Sequence, residues 1–249
     1  MSGRPSYTRV LLKISGESFA KSEVGGIDSV ELHRIATEIA AVASSGVHLA
    51  VVVGGGNMIR GANLARRLQI DQSTADYMGM LGTVMNGMAL KEALEHVGQP
   101  ARLMSAISMP AIAEDFIRKR ALRHMEKGRC IILAAGTGNP FFTTDTCASL
   151  RATELNCEVV LKATKVDGVY DCDPAEDPSA KRFDHLTFSQ AIEDRLAVMD
   201  LTALSMCMEH DLPIIVFNFK QDGAIQSVVQ GAEVGTLIDN SELASATAD

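Results

Sequence analysis

The chain has 249 residues, 47% hydrophobic and 22% charged, with 31 Asp plus Glu against 23 Lys plus Arg and a net charge of −8. That is ordinary globular composition, long enough to bury a large core as one large domain or two intimate lobes; no linker separates independent domains, so 1–249 is read as one domain. A net acidic chain is poorly suited to nucleic acid or a membrane surface, so an anionic small molecule has to be drawn in by local positive charge.

The elements alternate from the start. Arg9 to Ile14 reads as a first strand running into Ser15-Gly16-Glu17. Leu32, Ile35, Ile39 and Val42 recur at helical spacing, which predicts a helix over Ser29 to Ser44 capped by Asp28 or Ser29. His48 to Val53 is a second strand, followed by a helix from Asn57 to Leu68. The longest helical stretch runs from Asp76 to His96 and is ended by Gly98 and Pro100. Then come a strand at Ala101 to Ser105, a helix at Ala111 to Lys127, a strand at Cys130 to Ala135, a helix at Thr144 to Leu155 and a strand at Glu158 to Ala163. An acidic, proline-punctuated loop occupies Asp171 to Pro178. A helix from Ser189 to His210 and strands at Pro213 to Phe217 and Val234 to Ile238 complete the ordered part, about 8–239, before a frayed polar tail at 240–249. This alternation argues an α/β fold, a mostly parallel sheet with helices on both faces.

Three further features bear on context. The five cysteines, Cys130, Cys147, Cys157, Cys172 and Cys207, show no metal-ligand spacing and read as reduced, buried thiols. No apolar run reaches ~18 residues and no signal-peptide core begins the chain, which reads as a soluble cytoplasmic protein without a membrane partner. The Met- and Gly-rich stretch from Tyr77 to Met88 is read as adaptable core packing, with a contact between subunits as the alternative. Its glycines weaken a helix by ~1 kcal/mol each, and make sense where another backbone or a ligand comes close.

The chemistry gathers where strands end. Leu49 to Val53 runs into Gly54-Gly55-Gly56-Asn57, and Ile131 to Ala135 runs into Gly136-Thr137-Gly138-Asn139-Pro140. Ligands of open α/β sheets bind beyond the carboxyl ends of the strands, and glycine lets backbone approach a phosphate. Two such loops suggest two phosphorylated ligands meeting. Lys13 ends the first strand beside a Ser-Gly turn, and Lys162 sits within the apolar run ending at Ala163. Two strand-end ammonium groups and two glycine loops can cradle a transferring phosphoryl group, a reaction that needs mainly positioning and charge neutralisation. The Walker A, dinucleotide-binding, protein kinase, GxSxG and HExxH patterns are absent.

The segments LLKISGE at 11–17, VVVGGGNMIRG at 51–61, DYMGMLGTVMNGMAL at 76–90, AAGTGNPFFTTD at 134–145 and LKATKVDGVYDCDP at 161–174, then VMD followed by LPIIVFN, resemble the bacterial UMP kinases (uridylate kinases) of the amino acid kinase family. They run in family order over nearly the whole chain. The resemblance implies a three-layer α/β/α sandwich with a mostly parallel central sheet, a homohexamer, Mg-ATP as donor and UMP as acceptor, in pyrimidine nucleotide biosynthesis. It implies that Lys13, Ile14, Ser15, Gly16, Gly56 and Arg60 face ATP, with Thr164, Tyr170 and Asp173 on the adenosine side. Gly55, Asp76, Gly136, Thr137, Gly138, Asn139, Pro140, Phe141, Phe142 and Thr143 face UMP, Asp76 at the ribose. Lys13, Arg60, Asp145 and Lys162 form the catalytic group, Asp145 orienting the two lysines. Magnesium is held through nucleotide phosphates, with no metal ligand assigned from the protein.

The resemblance also implies a GTP activator, with UTP as inhibitor. The GTP site would involve Lys21, Ser22, Glu23, Val24, Gly25, Gly26, Arg102 and Arg129. Lys91 and Glu95 stand where Arg and His are expected in enterobacterial members, and Glu95 is expected to repel an anionic effector. Two other readings stay open: a carboxylate or carbamate kinase of the same fold, and a nucleotide-binding protein without catalysis.

Overall fold

The computed structural model describes residues 6–21, 26–59, 69–174, 176–177 and 179–241. Arg60, the segment Ser22 to Gly25 and most of the helix expected over Asn57 to Leu68 lie outside them. Among the described residues a nine-stranded sheet forms the middle layer. Its strands are β1 (Arg9–Ile14), β2 (His48–Val53), β3 (Ala101–Ser105), β4 (Glu114–Asp115), β5 (Cys130–Ala134), β6 (Val159–Thr164), β9 (His185–Thr187), β10 (Ile214–Asn218) and β11 (Thr236–Asp239). They lie in the order β4-β3-β5-β2-β1-β6-β10-β11-β9. Every pairing is parallel except β10 with β11. A separate hairpin joins β7 (Val169–Tyr170) to β8 (Arg182–Phe183).

Period-two alternation sorts the side chains of the central strands onto two cores. On β1, Val10, Leu12 and Ile14 face one core while Leu11 faces the other. The first core is covered by α1 (Ser29–Ser44), α2 (Gln72–His96) and α7 (Ala224–Val229). The second is covered by α3 (Arg118–Glu126), α4 (Thr144–Glu154), α5 (Phe188–Glu193) and α6 (Leu201–Glu209). The expected α/β/α layering is what forms. Asp28 caps α1, its carboxylate accepting from the Val30 and Glu31 backbone N–H groups.

Two expected helices are corrected. The stretch from Ala111 to Lys127 is helical only from Arg118; Glu114–Asp115 instead pairs with β3, satisfying backbone groups that would otherwise form a bare sheet edge. The stretch from Ser189 to His210 breaks into α5 and α6, with Arg195 at φ 50° and Asp200 capping α6. Also not foreseen were a 3-10 helix at Gly16–Phe19, the β7–β8 hairpin, β9 and α7. In the Met-rich stretch Met80 and Val84 are buried, but Tyr77, Leu81, Met85 and Met88 are exposed along one side of α2. Core packing therefore accounts for only part of it. Of the cysteines, Cys172 is exposed, against expectation, and the other four are buried.

The glycines bring the strand ends together. A Cβ on Gly16 would overlap the Gly56 nitrogen and lie 2.8 Å from the Gly55 carbonyl carbon. One on Gly54 would lie 2.6 Å from the Gly16 nitrogen. The turn after β1 and the loop after β2 thus pack backbone to backbone. Gly16→Ala should lower stability by about 1–3 kcal/mol, the usual cost of overpacking, measured by urea denaturation; an unchanged midpoint would contradict this packing.

Candidate active site

Lys13 and Lys162 are direct register partners on the adjacent parallel strands β1 and β6. The alternation that turns Leu11 and Val160 to the second core turns Lys13 and Lys162 to the same side, where Asp145 in the first turn of α4 meets them. Lys13 Nζ lies 2.7 Å from Asp145 Oδ1, and Lys162 Nζ lies 2.9 Å from Asp145 Oδ2. Lys162 also donates to the Val198 carbonyl. All three side chains are largely buried, at 9%, 16% and 15% exposure for Lys13, Lys162 and Asp145. Of the four residues grouped as catalytic, Lys13, Asp145 and Lys162 lie together, and Arg60 is outside the described residues.

The electrostatics follow from the geometry. Burial pushes the Asp145 carboxyl up, but the two ammonium groups and their hydrogen bonds outweigh it and hold the carboxyl below its ordinary 3.8. The start of α4 adds a favourable helix-end field for this anion. Burial lowers the Lys162 ammonium, and the nearby Lys13 charge adds to that against the pull of Asp145.

Asp145 is itself held by a capping network. The Thr143 hydroxyl accepts from the Asp145 and Thr146 backbone N–H groups and donates to Asp200 Oδ2 at 2.5 Å. The Thr146 hydroxyl donates to Asp200 as well, at 2.9 Å to Oδ1. Asp200 and the Val198 carbonyl are site elements that sequence reasoning missed, since it read 189–210 as one helix. The signal was present: Asp200 precedes Leu201-Thr202-Ala203 as a helix-capping residue would.

A cavity of about 610 Å³ opens beside this cluster, within the range of small-ligand sites. Gly55, Gly56, Asp76, Gly136, Thr137, Asn139, Phe141, Phe142 and Thr143 line it; Gly138 and Pro140 share the loop without forming its wall. The wall also holds Gln72, Gly79, Thr83 and Thr144, which sequence reasoning did not assign. Asp76 ties α2 to the second glycine loop: its Oδ2 accepts from the Phe141 N–H at 2.8 Å, and its Oδ1 from the Gln72 amide at 2.6 Å.

A second cavity, of about 350 Å³, is lined by Tyr170 and Asp173 together with Val166, Asp194 and Arg195. Thr164 lies at the end of β6 outside that lining, its hydroxyl donating to the Val166 carbonyl at 2.6 Å. Ile14 is buried in the core, so only its backbone can meet a ligand, and the Ser15 hydroxyl is 2.9 Å from that of Ser18.

Arg102 and Arg129 are linked through Glu114 and His124. Arg102 Nε lies 3.7 Å from Glu114, whose other oxygen is 3.1 Å from His124 Nε2, and His124 Nδ1 is 2.9 Å from Arg129. Glu95, expected to repel an anionic effector, pairs with Lys91 at 2.9 Å and lies 3.8 Å from Arg102. Lys21 and Gly26, at the two ends of the expected effector segment, are described, and Gly26 accepts from the Asn57 amide at 2.7 Å.

The model of the amino acid kinase family matches residues 8–218. A uridylate kinase of Pseudomonas putida is 50% identical over 243 residues, covering 97% of this chain and 98% of that protein. A uridylate kinase of Methylococcus capsulatus is 48% identical over 234 residues, covering 94% and 98%. The crystal structure of a UMP kinase from Bacillus anthracis superposes with a TM-score of 0.93 at 38% identity, covering 96% of this chain and 98% of that one.

The Asp145 cluster gives a pH test. A carboxyl whose folded pKa lies below its unfolded one stabilises fully above the unfolded value, and that stabilisation is lost as pH falls through the folded one. Wild-type stability should therefore fall on acidification below pH ~4 with a component that Asp145→Asn lacks. At pH 7 the variant, left with two buried ammonium groups, should be less stable by about 3–5 kcal/mol. Matching urea midpoints for the two proteins at pH 7 would contradict this.

Proposed function

We propose, since this chain belongs to the amino acid kinase family, that it transfers the γ-phosphoryl group of ATP to UMP, giving ADP and UDP. The uridylate kinases so similar to it over nearly their whole length support the acceptor. The observation that carries the reading is two glycine loops and two strand-end lysines converging about one carboxylate. An oxygen of the UMP phosphate attacks the γ-phosphorus, the bond to the bridging oxygen breaks, and ADP leaves. Lys13 and Lys162 neutralise charge spreading over the phosphoryl oxygens, and Arg60 clamps them bidentately. Asp145 keeps the lysines in place and accepts no proton. Lys13, Ile14, Ser15, Gly16 and Gly56 bear the donor phosphates, with Thr164, Tyr170 and Asp173 toward the adenosine.

Gly55 and the loop from Gly136 to Thr143 hold UMP, and Asp76 accepts from its ribose hydroxyls. A carboxylate substrate would have no hydroxyl pair for Asp76 to hold, which favours the nucleotide reading. Magnesium enters with ATP. Among the described residues no group of three His, Cys, Asp or Glu could hold a metal, Asp145 is engaged by its lysines, and phosphate oxygens are the usual ligands of such an ion.

The same reading makes this one domain of a homohexamer, acting in cytoplasmic pyrimidine nucleotide synthesis. The exposed row Tyr77, Leu81, Met85 and Met88 on α2 supports self-association. No helix of the described residues is long and apolar enough to cross a membrane. GTP would activate and UTP inhibit. GTP activation would be weak, because a triphosphate near Arg102 and Arg129 must displace the partners these arginines already have.

ADP release with Mg-ATP and a panel of UMP, CMP, dTMP, aspartate and glutamate tests the reading. UMP should be preferred over CMP by roughly 10⁴ in kcat/KM, because cytosine mismatches the donors and acceptors that uracil meets. Comparable turnover of the two would overturn it. Lys13→Ala should lower kcat by ~10²–10³, whereas Asp76→Ala should raise the UMP KM more than it lowers kcat.

A further inference from the structure

The two glycine loops leave different strands, yet both are fastened to a single turn of α2. Asn86 is fully buried in mid-helix, where an amide needs all its partners. Its Nδ2 donates to the Gly54 carbonyl and to Asn57 Oδ1, both at 2.7 Å, and its Oδ1 accepts from Asn57 Nδ2 at 3.0 Å. The peptide from Gly54 to Gly55 is trans, so holding the Gly54 carbonyl also fixes the direction of the Gly55 N–H.

Thr83, three residues earlier and therefore on the same face, holds the other loop. Its hydroxyl accepts from the Ala135 N–H at 2.7 Å and donates to the Met80 carbonyl at 2.6 Å. Ala135 sits at φ 61°, a left-handed conformation that a non-glycine residue keeps only where its surroundings impose it. The second loop thus begins at a residue pinned by Thr83. The hydroxyl's single proton goes to Met80 and one of its two lone pairs takes the Ala135 N–H, so its hold on the second loop runs through Ala135.

We propose that Thr83 and Asn86 are positioning residues for phosphoryl transfer: one turn of α2 sets the separation and orientation of the two glycine loops. This rests on the kinase reading above. A misplacement of reacting groups by an ångström costs on the order of 10²-fold in rate, and these two side chains hold both loops.

The test compares variants that perturb the same core differently. Thr83→Ser keeps the hydroxyl and loses a methyl; Thr83→Val keeps the shape and loses the hydroxyl. Melting temperatures should fall in both. If the pair positions the loops, Thr83→Ser keeps kcat within about threefold of wild type while Thr83→Val loses about 10²-fold. Asn86→Leu, similar in volume and without any donor for the Gly54 carbonyl, should lose about as much as Thr83→Val. Equal kcat in the two Thr83 variants, or wild-type kcat in Asn86→Leu, would overturn the proposal. The wild type is assayed first on the acceptor panel. Turnover of another acceptor in place of UMP would overturn the functional reading alone, and the variants are then compared on that acceptor, where the same ratios are expected.

Discussion

Two ammonium groups on adjacent strands, directly opposite each other and largely buried, are the arrangement on which the rest of the site depends. Like charges in that position repel, and each is costly to take out of water. The Asp145 carboxylate between them makes the arrangement tenable, one oxygen to each lysine. Much of the surrounding structure serves to deliver that carboxylate. Thr143 caps α4, Asp200 holds Thr143 and Thr146, and Asp200 in turn caps α6. The Val198 carbonyl takes a further Lys162 proton. Lys13, Lys162 and Asp145 alone sum to +1 within a chain whose overall charge is −8, while the Asp200 carboxylate is bonded to the Thr143 and Thr146 hydroxyls. An acidic protein can hold anionic ligands in this way because buried charges are screened less than exposed ones.

The second constraint is closeness of backbone. Gly16 and Gly54 permit the ends of β1 and β2 to touch, and Gly55 lies where a side chain would strike the Gly79 carbonyl of α2. Gly82 and Gly87 serve the same helix: a Cβ on Gly82 would lie 3.2 Å from Met58, and one on Gly87 2.6 Å from a Leu103 methyl. The helix weakness that these glycines bring is offset by packing that no larger residue allows. The polar anchors Thr83 and Asn86 lie on this same buried face. Stability and site geometry are thus set by one interface, between α2 and the carboxyl ends of β2 and β5.

The sequence made the layered architecture legible because long amphipathic runs and buried strands have strong periodicities. The two glycine loops and two strand-end lysines were legible for the same reason, each ending an apolar run at a glycine-bearing turn or within a strand. What was not legible depended on tertiary partners. Glu114–Asp115 looks helical by composition and becomes a strand because β3 needs a neighbour. Residues 194–200 have no glycine or proline to announce a break, and their chain turns where Lys162 requires a carbonyl. The ion pairs of Glu95 were not legible, since Lys91 lies one turn earlier on α2 and Arg102 comes from β3. Thr83 and Asn86 were hidden inside a stretch whose methionines and glycines dominate its reading.

The central claim is that two phosphorylated ligands occupy the sheet's carboxyl edge together and that the phosphoryl group passes directly between them. Initial-rate kinetics with UMP and Mg-ATP both varied tests it most directly. Direct transfer in a ternary complex predicts double-reciprocal lines that intersect. Parallel lines, the signature of a phosphorylated enzyme formed before the acceptor binds, would contradict it.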